Sequence, residues 1–220
     1  MLKNIQKAYD DIAINAFKNY TICRENDSGQ MEVFRLAEIE IYIIDKKNNI
    51  DDIFIHKNKK QKEFQKEYPH YSGFDICLGN GKDIYCGMLV RGLMNDDKVI
   101  YGPGRVKYNR ENRKKIPRKI EILFDDLDEQ KICFSDDVDS LIDMKNIIFK
   151  LPRVNLANTT SSKYLDSKDN LNSLNTYLNL NARYIRVKDD KFYKSEEFSP
   201  EEPREIFNAL ITYKQKIINE

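Results

Sequence analysis

Seven of the chain's eight glycines fall between Gly73 and Gly104, in the stretch GFDICLGNGKDIYCGMLVRGLMNDDKVIYGPG. Glycine serves where backbone must turn sharply, bulge or pass close to other atoms. The rest of the chain is nearly glycine-free, so unusual geometry is expected in this stretch and in whatever packs on it. Asn80-Gly81 is a tight-turn signal between two apolar runs, 71–78 and 84–93, which should pair as a hairpin. Just upstream, VFRLAEIEIYII at 33–44 alternates like a long strand. That alternation sets Glu38, Glu40 and Tyr42 on one face and Ala37, Ile39, Ile41 and Ile43 on the other. Two carboxylates and a tyrosine on one face suggest a wet cleft or a site.

Around this centre the pattern predicts further elements. Apolar residues at Leu2, Ile5, Tyr9, Ile12, Ala13, Ala16 and Phe17 have helical spacing and predict an amphipathic helix over 2–19. Lys57–Glu67, charged and glycine-free, is expected to be helical. Residues 117–124 and 130–134 are expected to pair as strands, with further strands at 147–156 and 183–187 and a polar loop at 158–174. Ser199 as N-cap, Pro200 at the first helical position and Glu202 mark the start of a C-terminal helix over 199–219. No repeat or linker divides the chain, and 40% hydrophobic residues support a core. The expected architecture is one mixed α/β (α+β) domain, a curved, mostly antiparallel sheet flanked by helices.

A net charge of +1 argues against a purely electrostatic nucleic-acid binder. The charges are nevertheless segregated. HKNKKQK at 56–62 and RVKYNRENRKKIPRK at 105–119 flank the glycine-rich stretch, while acidic residues gather at 125–129, 136–139 and 195–202. Lys57, Lys59, Lys60, Arg105 and Lys107 are therefore candidates for contact with a phosphate backbone. The four cysteines form no CxxC, and the charged, amphipathic stretch Met1–Tyr20 is unlike a secretory leader, so a reduced, cytosolic setting is expected. No apolar run reaches membrane-spanning length. His56, His70, Cys77 and Cys86 match no common zinc spacing, and no metal or cofactor is expected. Cys77 and Cys86 are expected to fill core space.

The order of the segments resembles a known family, the alkyladenine (methylpurine) DNA glycosylases. AEIEIY at 37–42 is similar to that family's ETEAY strand, and MLVRGL at 88–93 to its VLIRAL segment. YGPGRV at 101–106 resembles SGPxxL, and FKLPRVNL at 149–156 resembles xxTPRIGI. The matches run in the family's order through most of 33–187. The resemblance implies a single domain with a curved antiparallel sheet and excision of a base flipped out of duplex DNA, by a monomer needing no cofactor. It places the family's general base on Glu40, its strand tyrosine on Tyr42, its water-site histidine on His56 and its VLIRAL arginine on Arg91. The family's aromatic hairpin becomes GFDICLG here. Its stacking tyrosine then falls on Asp75 and its duplex wedge on Leu78, or, with a slip of one or two residues, on Phe74 or Tyr71. The family's pocket asparagine has no counterpart.

The chemistry suits these residue types. Hydrolysis of an N-glycosidic bond passes through an oxocarbenium-like state, and one carboxylate can both deprotonate a water and stabilise the cationic sugar. The residues also fit a second class, a module of the same fold that holds modified DNA or a nucleobase without cleaving it. A third possibility is an interaction protein with no cleft beside Glu40.

Overall fold

The amphipathic stripe of the first helix and the long β-alternation after it form the two layers of the fold. The structure is a computed structural model that describes residues 2–71, 73–111, 114–124, 133–134, 146–153, 176–178 and 180–188. The elements run α1 (Leu2–Asn19), β1 (Tyr20–Glu25), β2 (Met31–Asp45), β3 (Ile50–Asp51), β4 (Phe64–His70), β5 (Gly73–Leu78), β6 (Tyr85–Met94), β7 (Val99–Tyr101) and α2 (Pro103–Lys107). They continue with β8 (Tyr108–Glu111), β9 (Lys114–Pro117), β10 (Ile120–Phe124), β11 (Cys133–Phe134), β12 (Asn146–Leu151) and β13 (Arg183–Lys188).

The main sheet curls into a half-barrel, and its strand order is β11-β12-β13-β2-β6-β5-β4. All its described pairings are antiparallel except β11 with β12, and β8 and β9 form a separate hairpin. The expected class, a curved and mostly antiparallel sheet with helices on it, is the class observed. β2 is the spine, because its length lets it pair with β1 and β3 as well as β6 and β13. Ile5, Tyr9, Ala13, Ala16 and Phe17 of α1 pack on the sheet face that carries Ile39, Ile41, Phe74, Ile76, Met88, Val90 and Tyr184. Burial of this apolar stripe, rather than helical propensity, is what holds a helix of this length in place.

Two expectations are corrected. Lys57–Glu67 is not a helix: Lys59–Lys62 form a single 3₁₀ turn, and the chain extends from Phe64 into β4. The turn is closed by Asn58 and Gln61, each side chain bonding the other's backbone N–H, and Gln65 then takes a left-handed φ of 55° that a helix cannot absorb. The strand at 120–124 does not pair with Cys133–Phe134, the described part of 130–134; it pairs with β1, over residues to which the sequence pattern assigned no element. The segment 133–134 pairs with β12 instead. The expected loop at 158–174 and the helix at 199–219 lie outside the described residues.

The 71–78 and 84–93 hairpin forms as expected, as β5 and β6. Its turn docks on the 3₁₀ segment: Gly79 N–H donates to Glu63 O at 2.9 Å and Gly81 N–H to Lys62 O at 2.6 Å. A Cβ at Gly79 would sit 2.3 Å from the Lys62 carbonyl carbon. Backbone cannot yield there as a side chain would. Gly79→Ala is therefore expected to destabilise the protein by about 1–3 kcal/mol, the range for overpacking. An unchanged urea midpoint for this variant would contradict the close docking.

Candidate functional site

Residues opposite one another on neighbouring strands share a face. On the face away from α1 one rung crosses five strands: Tyr68 of β4, Asp75 of β5, Leu89 of β6, Glu40 of β2 and Arg183 of β13. Glu38 and Tyr42 flank Glu40 on β2, as alternation requires. The register slips on both sides of Glu38, leaving Arg91 as the extra residue of β6. Such a bulge re-aims a side chain. Here it points the guanidinium at the carboxylates.

Glu38 is the hub. Its Oε1 accepts from Arg91 Nε at 2.7 Å and from Arg183 Nε at 2.7 Å. Arg91 Nη1 also lies 3.5 Å from Glu40 Oε1, and the Tyr42 hydroxyl donates to Glu40 Oε2 at 2.8 Å. Burial, and then the charge of Glu40, hold the Tyr42 phenol well above its ordinary range, so it stays a proton donor. Gly92 makes room for this cluster, since a Cβ there would come within 3.0 Å of the Glu38 Cβ and 3.1 Å of the Tyr101 ring.

The chain of charges continues past Tyr42. The Arg153 guanidinium lies 4.6 Å from the Tyr42 ring centroid and 5.2 Å from that of Phe54. Arg153 grips Asp52 with both Nη atoms, at 2.5 and 3.3 Å, and donates to the Ile41 and Tyr177 carbonyls. Tyr9 of α1 donates to Asp52 Oδ2 at 2.9 Å. Burial alone would lower the pKa of Arg153, but the charge and hydrogen bonds of Asp52 overcome it and raise it. The expected wet cleft is thus corrected. Glu40 is 1% exposed and Glu38 is fully buried, because arginines from two other strands meet them.

At the far end of the rung a second group forms. Asp75 Oδ1 lies 3.0 Å from His70 Nε2, and Asp75 Oδ2 accepts from Gln61 Nε2 at 3.0 Å. The pair matches a carboxylate accepting from an imidazole N–H. Gly87, opposite Cys77, leaves the space that Gln61 and Asp75 fill. Burial, and then the charge of Asp75, push the Cys77 thiol up to about 12. Cys77 is a packing residue rather than a nucleophile.

The site candidates are therefore divided. Glu40, Tyr42 and Arg91 come together. Asp75 shares their rung, two strands away, roughly 10 Å. His56 is exposed, and its ring neighbours are Tyr68 at 6.5 Å and His70 at 5.8 Å. Phe74 is corrected: it points to the opposite face, into the core under α1. Leu78 is half-buried against that core, a poor position for a wedge. Lys57, Lys59, Lys60 and Arg105 are exposed, whereas Lys107 is buried and paired with Glu67, so it is withdrawn from the cationic surface. Sequence reasoning missed Arg183, Arg153, Asp52 and His70 as members of these clusters. Arg153 stood inside the FKLPRV match, the one signal that could have found it.

Among the described residues no three metal-ligating side chains converge, and no helix is long and apolar enough to cross a membrane. No protein-family model matches the chain, and no curated protein matches it.

Proposed function

We propose that this chain hydrolyses the N-glycosidic bond of a modified base in DNA, with Glu40 taking a proton from the attacking water. One observation carries this reading. The segments whose order resembles the glycosylases meet at one place, although they are spread between residues 37 and 154. AEIEIY brings Glu40 and Tyr42, MLVRGL brings Arg91 against Glu40, YGPGRV brings Tyr101 beside Glu38, and FKLPRV brings Arg153 over Tyr42. In this reading Glu40 is the base, Tyr42 and Arg91 orient its carboxylate, and the exposed lysines at 57–60 meet phosphates. Water is the only co-reactant: its oxygen joins the anomeric carbon as its proton passes to Glu40, the C–N bond breaks with its electron pair on the base, and the proton returned from Glu40 neutralises the departing base.

A specific observation favours a second reading, binding without cleavage. Glu40 is 1% exposed with Tyr42 on one oxygen and Arg91 near the other, and Arg153 covers the Tyr42 ring. A base stacking there has to displace that guanidinium.

The test is a screen of oligonucleotides carrying alkylated, deaminated, oxidised or hypermodified bases, with free base read by mass spectrometry. The proposal expects release from at least one class. Tight binding of a modified oligonucleotide without release supports the second reading. Neither release nor binding overturns both.

A further inference from the structure

We infer that the β4 edge of the sheet, from Phe64 to Tyr71, is a landing surface for the unpaired nucleotides of single-stranded DNA. The inference rests on the reading of the chain as a DNA-acting protein and names the form of DNA it takes. β4 ends the strand order, so among the described residues one of its edges has no neighbouring strand of the main sheet. Two large aromatics stand out from it: Phe64 is 57% exposed and Tyr71, just past its end, is 84% exposed. They are separated by roughly 20 Å of extended chain. Between them in sequence, but on the face shared with Asp75 and so opposite to Phe64, the rings of Tyr68 and His70 cluster with that of His56 at centroid separations of 5.8 to 6.5 Å.

This end of the sheet is firmly held. Asp75 binds the His70 ring, and the Tyr108 hydroxyl donates to the His70 carbonyl at 2.7 Å. His70 therefore stands on a fixed base rather than a loose loop.

Charge decides what such a surface fits. Residues 56–71 hold five lysines against two glutamates, and one of those, Glu67, is already taken by Lys107. An edge rich in lysines that carries rings on both of its faces fits a phosphate chain whose bases are free to stack. Bases in a duplex already stack on each other and offer no faces to rings along an edge. A partner protein strand is disfavoured too, because Lys66 and Pro69 on β4 are devices that block edge-to-edge pairing.

The test uses the full chain and fluorescence anisotropy, with a labelled oligodeoxythymidine of about a dozen nucleotides. A blunt duplex and an abasic strand of the same length are the comparators. The single strand is expected to bind at least about tenfold tighter than either. Phe64→Ala and Tyr71→Ala, both at exposed positions, are each expected to weaken it about tenfold while leaving the salt slope unchanged. Lys59→Gln with Lys60→Gln should lower the log–log salt slope by about 1.4. Equal affinity for duplex or abasic strand, or unchanged affinity in both aromatic variants, overturns the inference. Binding that survives Glu40→Gln, with no base release by the wild type, would sink the glycosylase reading and leave this surface standing.

Discussion

Arg153→Met is expected to lower stability by about 3–5 kcal/mol, the cost of breaking a buried ion pair from one side. Arg153 and Asp52 have fully buried side chains. Without the guanidinium, the Asp52 carboxylate keeps only the Tyr9 hydroxyl and the Phe54 N–H among its described partners. The methionine can fill the space over Tyr42 but cannot neutralise the charge. In urea the midpoint should fall by about 1–2 M. Removing both charges, as Arg153→Met with Asp52→Leu, should recover much of the loss, since the stranded charge is the main penalty. A single variant costing under about 1 kcal/mol would contradict the view that this pair locks α1, β3 and β12 together.

Glu40→Gln is expected to reduce base release by about 10²–10⁴-fold, the usual contribution of a positioned general base. The amide has nearly the shape of the carboxylate but cannot take a proton from water. Arg91 keeps its 2.7 Å bond to Glu38, and Tyr42 can still donate to the amide oxygen. The fold and the affinity for single-stranded DNA should therefore survive. Retained near-ultraviolet circular dichroism and retained anisotropy would show that the loss is chemical. Collapse of the fold in this variant would instead mark Glu40 as a structural charge.

The parts of the fold that were legible are those fixed by local pattern. Strict alternation along β2, the Asn80-Gly81 turn and the apolar stripe of α1 each reflect one element burying one face. β4 was not legible, because as an edge strand it keeps its polar residues in water. Lys57–Glu67, which contains the start of this strand, then reads as a charged helix unless Lys66 and Pro69 are taken as edge markers. β1 was hidden because it follows α1 without a break, and only its pairing with β2 and β10 defines it.

The site divides in the same way. Alternation was enough to place Glu38, Glu40 and Tyr42 on one face. It could not reveal that the face is dry, because that depends on which cations arrive from elsewhere. Arg183 lies 145 residues from Glu38, and Arg153 lies 101 from Asp52. Those meetings follow from strand order, which no local pattern records. His70 had no motif of its own, and its role follows from the pairing of β4 with β5 that sets it near Asp75.

The most direct measurement is a single-turnover assay, with protein in excess over an oligonucleotide carrying the modified base found in the screen. Wild type and Glu40→Gln are run side by side, and free base and abasic sites are quantified in each. The expected result is equal yields of base and abasic site from the wild type and a rate at least about a hundredfold lower in the variant. Equal rates in the two proteins, or no release by the wild type from any base in the panel, would contradict it.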